Sequence, residues 1–391
     1  MAFALAAMTA ASQFHRAAIG VVAPELAADL GLGPAGLGMA NTVFFGALLM
    51  AQLPVGVALD RIGPRRLVAS LTVLAVLGSA AQALAQDGPQ FLAARFVLGL
   101  GCAASFMSAV VLSGRWHRGP ALTRAITGIY AWSQAGILAA GAPLAVISGL
   151  LDWRGAFLMS AVLTGLIGAV WWRFAADDPP GTPQRTASRE SLTEVLAGQF
   201  RVWATPGLIR ILALHTFAYA VMATLLALWA GPYLHDVFGL DAAVRGAVLL
   251  AMGLAVPAGQ LVVPPLERML GRERAIVASA LVVVATMLVL AAWPALPLAM
   301  AVLLLMLSCF FSAYPILLVT QGRGLFPEHL VGRGVTTVNL AQVLGSAALP
   351  ALVGWAVAVV GVGEAGYRAG FLLMGASLAM GIVGYRTLPR G

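Results

Sequence analysis

Residues 56–66 read GVALDRIGPRR, and long apolar runs flank them on both sides. Each run can cross a bilayer as a helix, which takes about twenty residues. Gly63 allows a tight turn because glycine has no Cβ. The three arginines of the stretch, Arg61, Arg65 and Arg66, favour the anionic inner face of a membrane. The stretch therefore predicts a short charged loop that joins two membrane-spanning helices.

The composition of the whole chain is that of a membrane protein. Of its 391 residues, 61% are hydrophobic and 10% are charged, and the mean hydropathy is +0.93. An ordinary soluble domain has about 25% charged residues, so a soluble globular enzyme, a disordered chain and a coiled coil are excluded. The net charge of +8 does not predict a nucleic-acid partner. Its 23 basic residues are all arginine and lie mostly in short connections, where they set membrane orientation.

Apolar runs broken by glycine, proline and charge predict twelve membrane-spanning helices. Their approximate spans are 3–27, 35–58, 66–86, 89–113, 122–149, 154–174, 206–234, 242–265, 274–293, 295–320, 333–360 and 367–387. With a cytoplasmic N-terminus, seventeen arginines lie on the cytoplasmic side and only Arg154, Arg245 and Arg368 on the other. This bias predicts that both termini are cytoplasmic, in a bacterial inner membrane. The helix ends on the same side as the N-terminus are termed inner and the opposite ends outer.

The sequence also contains an internal repeat. Matching pairs of positions are Asp60 and Glu267, Pro24 and Pro232, Arg124 and Arg333, and Arg154 and Arg368, at separations of 207, 208, 209 and 214 residues. Four matches in the same order indicate a duplication. They predict a six-helix half at 1–174, a cytoplasmic linker at 175–205 and a second half at 206–391. Parallel six-helix repeats place a substrate site between the halves, near the bilayer midplane.

The charged loop resembles the signature Gly-x-x-x-Asp-Arg-x-Gly-x-Arg-Arg of the major facilitator superfamily. In helix four, Arg95-x-x-x-Gly99-x-Gly101 is similar to the second motif of that family. The resemblance implies an all-α membrane fold of two pseudo-symmetric six-helix bundles and transport by alternating access. It also implies that Asp60 latches the cytoplasmic side closed. The predicted gating residues are those of the loop and of its repeat: Asp60, Arg61, Arg65, Arg66, Glu267 and Arg268.

Helix one carries the polar residues most informative about a substrate. All fifteen acidic residues fall in connections or at helix ends, whereas His15 and Arg16 lie near the centre of this helix. A guanidinium in hydrocarbon is costly, so Arg16 is predicted to face a cavity and bind an anion. Gln13 is predicted to line the same cavity. His15 is predicted to contact the substrate and to carry the coupling proton, because histidine titrates near neutral pH. Structural roles remain open: a buried cation for Arg16 and a packing residue for His15.

Further polar residues complete the predicted site. Arg95 is expected to pair with polar groups of helix one, in a structural or charge-relay role. His215 is expected nearer the cytoplasmic mouth than His15, and whether it titrates in the cycle stays open. Six more residues are candidate substrate contacts by their place on the helices: Tyr130, Gln134, Tyr219, Trp229, Asn339 and Gln342.

These features favour a secondary active transporter of a small organic anion, with protons as a candidate coupling ion. Helix one is similar to that of organic-anion and sugar-phosphate carriers of the superfamily. Those carriers often use a second arginine in helix seven, where this chain has Ala223. An exporter of neutral or amphipathic metabolites or drugs is the alternative, as is a non-transporting sensor. No nucleophile–base pair, metal cluster or ATP-binding motif is visible, so no enzyme activity, metal or cofactor is predicted. The expected partners are the substrate and the lipid bilayer, and the expected state is a monomer.

Overall fold

The computed structural model describes residues 2–117, 119–179, 201–327 and 331–389, and nearly all of these are helical. Most of the predicted linker, 175–205, lies outside them. In chain order the helices are α1 (Ala2–Ala17), α2 (Ile19–Leu30), α3 (Pro34–Ile62), α4 (Pro64–Leu84), α5 (Gly88–Cys102), α6 (Ser105–Trp116), α7 (Gly119–Ala139), α8 (Ala142–Phe174), α9 (Leu208–Ala218), α10 (Ala220–Thr224), α11 (Ala230–Phe238), α12 (Ala242–Leu270), α13 (Arg272–Ala292), α14 (Leu298–Phe311), α15 (Pro315–Arg323), α16 (Val331–Val360) and α17 (Glu364–Thr387). A π-helical turn, Leu225–Trp229, stands between α10 and α11.

Twelve membrane crossings account for the helices in the described part of the chain. Ten stretches are long and apolar enough to cross, and one of them, Arg124–Phe174, has 51 residues. At 1.5 Å per residue that is more than twice the hydrocarbon thickness of about 30 Å. It holds two crossings, because Asp152 has φ 58° and breaks the helical conformation within α8. Helices α1 and α2 form the remaining crossing, whose hydropathy is lowered by His15 and Arg16. The predicted all-α membrane fold is confirmed.

The described residues group into two compact units. The first contains Met1–Leu32, Val43–Ser188 and Asp241–Leu250, and the second contains Gly33–Thr42, Arg189–Leu240 and Ala251–Gly391. Two helices are therefore divided between the units near their outer ends. The first turns of α12 group with the first unit, and the first turns of α3 group with the second.

Each unit contains the same close helix pair. In the first, α1 packs against α7, and a Cβ at Gly136 would collide with the carbonyl oxygen of Ala10. In the second, α9 packs against α16, and a Cβ at Gly345 would collide with the carbonyl oxygen of Thr216. Glycine lets the two backbones touch in both pairs. The match supports the duplication read from the sequence.

A polar cluster at the outer end of the first unit joins three helices. Asp29 accepts hydrogen bonds from the Trp153 indole (3.2 Å) and from Arg154 (2.8 Å). Arg154 also donates to the carbonyl oxygens of Ala83 and Ala85, at the end of α4. The last carbonyls of a helix have no partner within it, so the Arg154 guanidinium caps α4. The neighbouring Trp153 donates to Asp29 and so connects α8 to α2.

The second unit repeats this cluster with equivalent residues. Asp236 accepts from the hydroxyl of Tyr367, in place of the tryptophan. Arg368 donates to the carbonyl oxygen of Ala291 at 2.6 Å and to that of Ala292 at 3.3 Å, at the end of α13. The aromatic–arginine pairs that matched in sequence thus make matching contacts in space.

Candidate functional site

The charged loop at residues 56–66 contains a tight turn whose conformation requires glycine. Gly63 has φ 80° and ψ 155°, a region that is essentially reserved for glycine. Asp177, which follows the sixth crossing, returns to this turn and accepts a hydrogen bond from the backbone N–H of Arg65 at 2.7 Å. A carboxylate there satisfies an unpaired N–H group at the start of α4 and complements the helix dipole. The backbone at Asp60 lies in α3, but the Asp60 side chain lies outside the described residues.

The arginines of the loop have different surroundings. Arg65 is half-buried: it donates to the carbonyl oxygen of Trp172 at 2.8 Å and stacks on the indole ring at 4.5 Å. Arg61 and Arg66 are exposed. Of the three predicted gating arginines, Arg65 therefore contacts the sixth crossing, whereas Arg61 and Arg66 are exposed.

The second repeat has the same turn with a different charge pattern. Gly271 has φ 78° and ψ 156°, which match Gly63 within a few degrees. Glu267 accepts from Arg272 Nε at 2.6 Å, whereas Arg268 is exposed. The predicted gating acid of this half is thus engaged with the arginine that begins α13.

A buried arginine holds together three helices at the inner end of the second unit. Arg210 donates to Glu273 Oε1 at 2.9 Å and to the carbonyl oxygen of Tyr385 at 3.0 Å, and its guanidinium lies 4.4 Å from the Tyr385 ring. These contacts join α9, α13 and α17. Its positive charge is paired with Glu273 inside the protein.

Arg16 is the basic residue of helix one with no such engagement. Its side chain is half-buried, and its guanidinium carbon lies 5.8 Å from the ring centroid of Phe45. The buried Nε has no hydrogen-bond partner, and the described residues supply Arg16 with no carboxylate. A partly buried cation without a partner is costly, so this position suits an anion that arrives from outside the protein.

His15 and Arg95 form a buried cluster beside Arg16. His15 Nε2 and the Thr164 hydroxyl are 2.9 Å apart, and His15 Nδ1 has no partner within the described part of the chain. Arg95 is fully buried, donates to the carbonyl oxygen of His15 at 3.0 Å and lies 4.4 Å from the Phe44 ring. Arg95 thus contacts the backbone of helix one. The peptide it holds immediately precedes Arg16.

The remaining candidate contacts have varied surroundings. Gln13, Tyr219, Asn339 and Gln342 are half-buried, and Gln134 is buried with its carbonyl oxygen unpaired among the described residues. The Tyr130 side chain lies outside the described residues. Trp229 is buried and donates to the carbonyl oxygen of Pro350 at 3.3 Å, and His215 is buried beside Gln342.

Sequence reasoning missed an ion pair at the outer end, between a buried arginine and an exposed glutamate. Arg245, counted there as an outer topogenic charge, is 1% exposed and pairs with Glu25 of α2. It also donates to the carbonyl oxygen of Val21 at 3.2 Å. The only signal in the sequence was the position of Arg245 just inside the predicted helix 242–265. The rule that arginines set membrane orientation already accounted for that residue.

A duplicated bundle of twelve membrane-crossing helices, with matched glycine turns and outer clusters, defines a polytopic membrane protein built from two repeats. The chain belongs to the Major Facilitator Superfamily, whose sequence model matches residues 5–350. The resemblance drawn from the charged loop is thereby confirmed.

Two curated relatives have names that refer to anions. The chain is 24% identical to a "Putative tartrate transporter" of Agrobacterium vitis over 386 residues, which cover 93% of this chain and 85% of that protein. It is 29% identical to "Nitrate/nitrite transporter NrtP" of Nostoc punctiforme over 154 residues. That second match spans 37% of this chain and only 30% of the relative's length. The tartrate name agrees with the organic-anion character of the predicted family type, whereas nitrate and nitrite are inorganic anions.

The fold matches a solved transporter structure over almost the whole chain. A bacterial homolog of the human lysosomal transporter Spinster, in an inward-facing and unoccupied conformation, superposes with a TM-score of 0.81. The superposition covers 99% of this chain and 96% of that one at 15% identity. The likeness at that identity concerns the fold.

Proposed function

We propose that this protein is a secondary active transporter that carries a small organic anion across the membrane by alternating access. Membership of the superfamily supports the transport activity, and relatives named for tartrate and nitrate support an anionic substrate. The halves 1–174 and 206–391, joined by the linker 175–205, would rock about a central site. We place the protein in a bacterial inner membrane as a monomer with both termini in the cytoplasm, because the arginine bias favours that orientation.

The observation that carries the proposal is the unpartnered guanidinium of Arg16. The buried arginines among the described residues donate to protein acceptors: Arg95 to His15, Arg210 to Glu273 and Arg245 to Glu25. Arg16 has no partner of this kind among the described residues. Its planar fork fits a carboxylate with two parallel hydrogen bonds.

The charge of the substrate follows from the number of available cations. The helix-seven position that matches Arg16 is about Ala223, a buried apolar residue. One arginine without a second suits a single carboxylate or another monoanionic group better than a doubly charged phosphate. Half-buried Gln13 and Gln342 supply amide groups for the uncharged part of the substrate.

We assign proton coupling to His15. Its Nε2 is held by Thr164, while Nδ1 has no partner among the described residues, so the ring is oriented and retains one nitrogen for a proton. Its place next to Arg16 would link protonation to anion binding, because a positive imidazolium and a bound anion attract each other.

Binding measurements on purified protein test the proposal. Acetate, nitrate and tartrate are screened by the rise in apparent melting temperature, since a ligand that binds only the folded form raises it. Arg16→Ala is expected to weaken binding about ten- to hundredfold, because a charge-assisted hydrogen bond of about 1.5–3 kcal/mol is lost. Arg16→Lys is expected to recover part of the affinity. Arg386→Ala, which removes an exposed charge at the inner end of α17, is the control.

The alternatives give different results in the same experiment. Wild-type affinity in Arg16→Ala contradicts the anion site. Stabilisation by neutral amphipathic compounds but by no anion favours the exporter of neutral metabolites or drugs. Anion binding without uptake into proteoliposomes favours the non-transporting sensor.

A further inference from the structure

The Glu25–Arg245 pair differs from the other outer ion pair in the way it relates to the repeat. Asp29 and Arg154 belong to one sequence half, and the equivalent residues of the other half, Asp236 and Arg368, make matching contacts with Tyr367 and with the end of α13. Positions 208 residues after Glu25 and 208 residues before Arg245 hold Tyr233 and Leu37, which are both buried and uncharged. The Glu25–Arg245 pair is therefore not part of the duplicated framework that shapes each half.

The pair joins segments that come from different halves of the sequence. Glu25 lies on α2, and Arg245 lies in the first turns of α12. The first turns of α12 group with the first compact unit, whereas residues 251–270 of the same helix group with the second. A helix divided in this way must exchange contacts at one end when the two halves move.

The turns of α12 around Arg245 pack closely against their neighbours. A Cβ at Gly246 would lie 2.5 Å from the Cβ of Ala145, and a Cβ at Gly141 would lie 3.1 Å from the backbone nitrogen of Leu250. The Arg245 guanidinium is almost completely buried in this contact and satisfies its charge with Glu25 and the Val21 carbonyl. Removing the carboxylate would take an anionic partner away from a buried guanidinium, and such a loss destabilises the contact.

We infer that the Glu25–Arg245 ion pair is an outer latch, formed in the state seen here and broken when the outer end opens. Glu25 closes the latch through its carboxylate, and Arg245 is released from its buried position when the first turns of α12 leave the first unit. The latch would set the balance between the two access states without touching the substrate. This inference rests on the proposed alternating-access transport.

A cysteine reporter on α12 tests the latch. Leu249 is buried one turn beyond Arg245, so Leu249→Cys, with Cys102 and Cys309 changed to Ser, reports opening of this contact. The rate of reaction with a water-soluble maleimide is measured in lipid nanodiscs, where both membrane faces are accessible. Glu25→Gln and Arg245→Gln are each expected to raise the rate about tenfold, a size typical of single couplings between conformational states. The exchanged pair Glu25→Arg with Arg245→Glu is expected to return the rate to within about threefold of the parent.

The matched control is Asp29→Asn, which removes a carboxylate one turn away on the same helix but from the duplicated cluster. It is expected to change the rate less than about twofold. An equal increase in Asp29→Asn, an unchanged rate in Glu25→Gln, or no recovery in the exchanged pair would each overturn the latch. Anion binding measured on the same proteins separates the two proposals. If the variants leave the labelling rate unchanged while anion binding still depends on Arg16, only the latch is rejected.

Discussion

Replacing Gly63 and Gly271 by alanine separates two contributions to the inner turns. Both glycines have φ near 80° and ψ near 155°, so each alanine should incur a similar strain of about 1–3 kcal/mol. The surroundings differ. A Cβ at Gly271 meets nothing within 4 Å, whereas a Cβ at Gly63 would collide with the Asp177 carboxylate.

The difference between the two variants therefore measures the contact of Asp177 with the start of α4. Displacing this carboxylate loses the hydrogen bond to Arg65, which acts as a helix cap and is worth about 1 kcal/mol, with a range of about 0.5–2. Gly63→Ala should lower the free energy of unfolding by that amount more than Gly271→Ala. Asp177→Ala should cost about the same 1 kcal/mol alone and should add almost nothing in the Gly63→Ala background.

The assay is reversible unfolding of purified protein by SDS titration, followed by tryptophan fluorescence. Equal losses for Gly63→Ala and Gly271→Ala would refute the reasoning, as would additive losses in the Gly63→Ala/Asp177→Ala double variant. Either result would mean that Asp177 does not cap α4 in the folded protein.

Three further predictions concern gating, coupling and topology. Asp60→Asn should slow transport at least about fivefold while substrate binding stays within about twofold, because Asp60 is expected at the inner latch and outside the site; an equal loss of both counts against that role. His15→Gln should leave binding measurable and flatten the pH dependence of uptake, and an unchanged pH profile removes His15 from coupling. A cysteine placed at Gly181 should resist impermeant reagents in intact cells and react in inside-out vesicles; labelling of intact cells contradicts cytoplasmic termini.

Hydropathy and glycine placement were enough to predict the helices. The predicted span 274–293 corresponds to α13 (Arg272–Ala292), because apolar runs and glycine turns are local features of the chain. The return of Asp177 to Arg65 joins residues 112 positions apart, and no local pattern encodes it. The sequence assigned Arg245 a role in membrane orientation from its positive charge alone, because only the packed structure reveals that it pairs with Glu25.

The predicted site shows the same division between local and tertiary information. Periodicity placed Arg16 and Gln13 on helix one, and the structure leaves both half-buried. The same local pattern could not distinguish His15, whose ring is buried against Thr164 because α8 packs against α1. Burial of a polar side chain depends on which helix lies opposite, and that is set by the whole fold.

The π-helical turn at Leu225–Trp229 bears on how the two copies of the first helix diverged. Ala10 and Thr216, which contact matching glycines, are 206 residues apart, whereas Gly31 and Gly239, which end the matching crossings with φ 62° and φ 67°, are 208 apart. The second copy is thus two residues longer over this stretch. A π turn accommodates one additional residue without unravelling a helix. The π turn therefore accounts for one of the two extra residues by local underwinding, and helix seven still ends at Gly239, the glycine that matches Gly31.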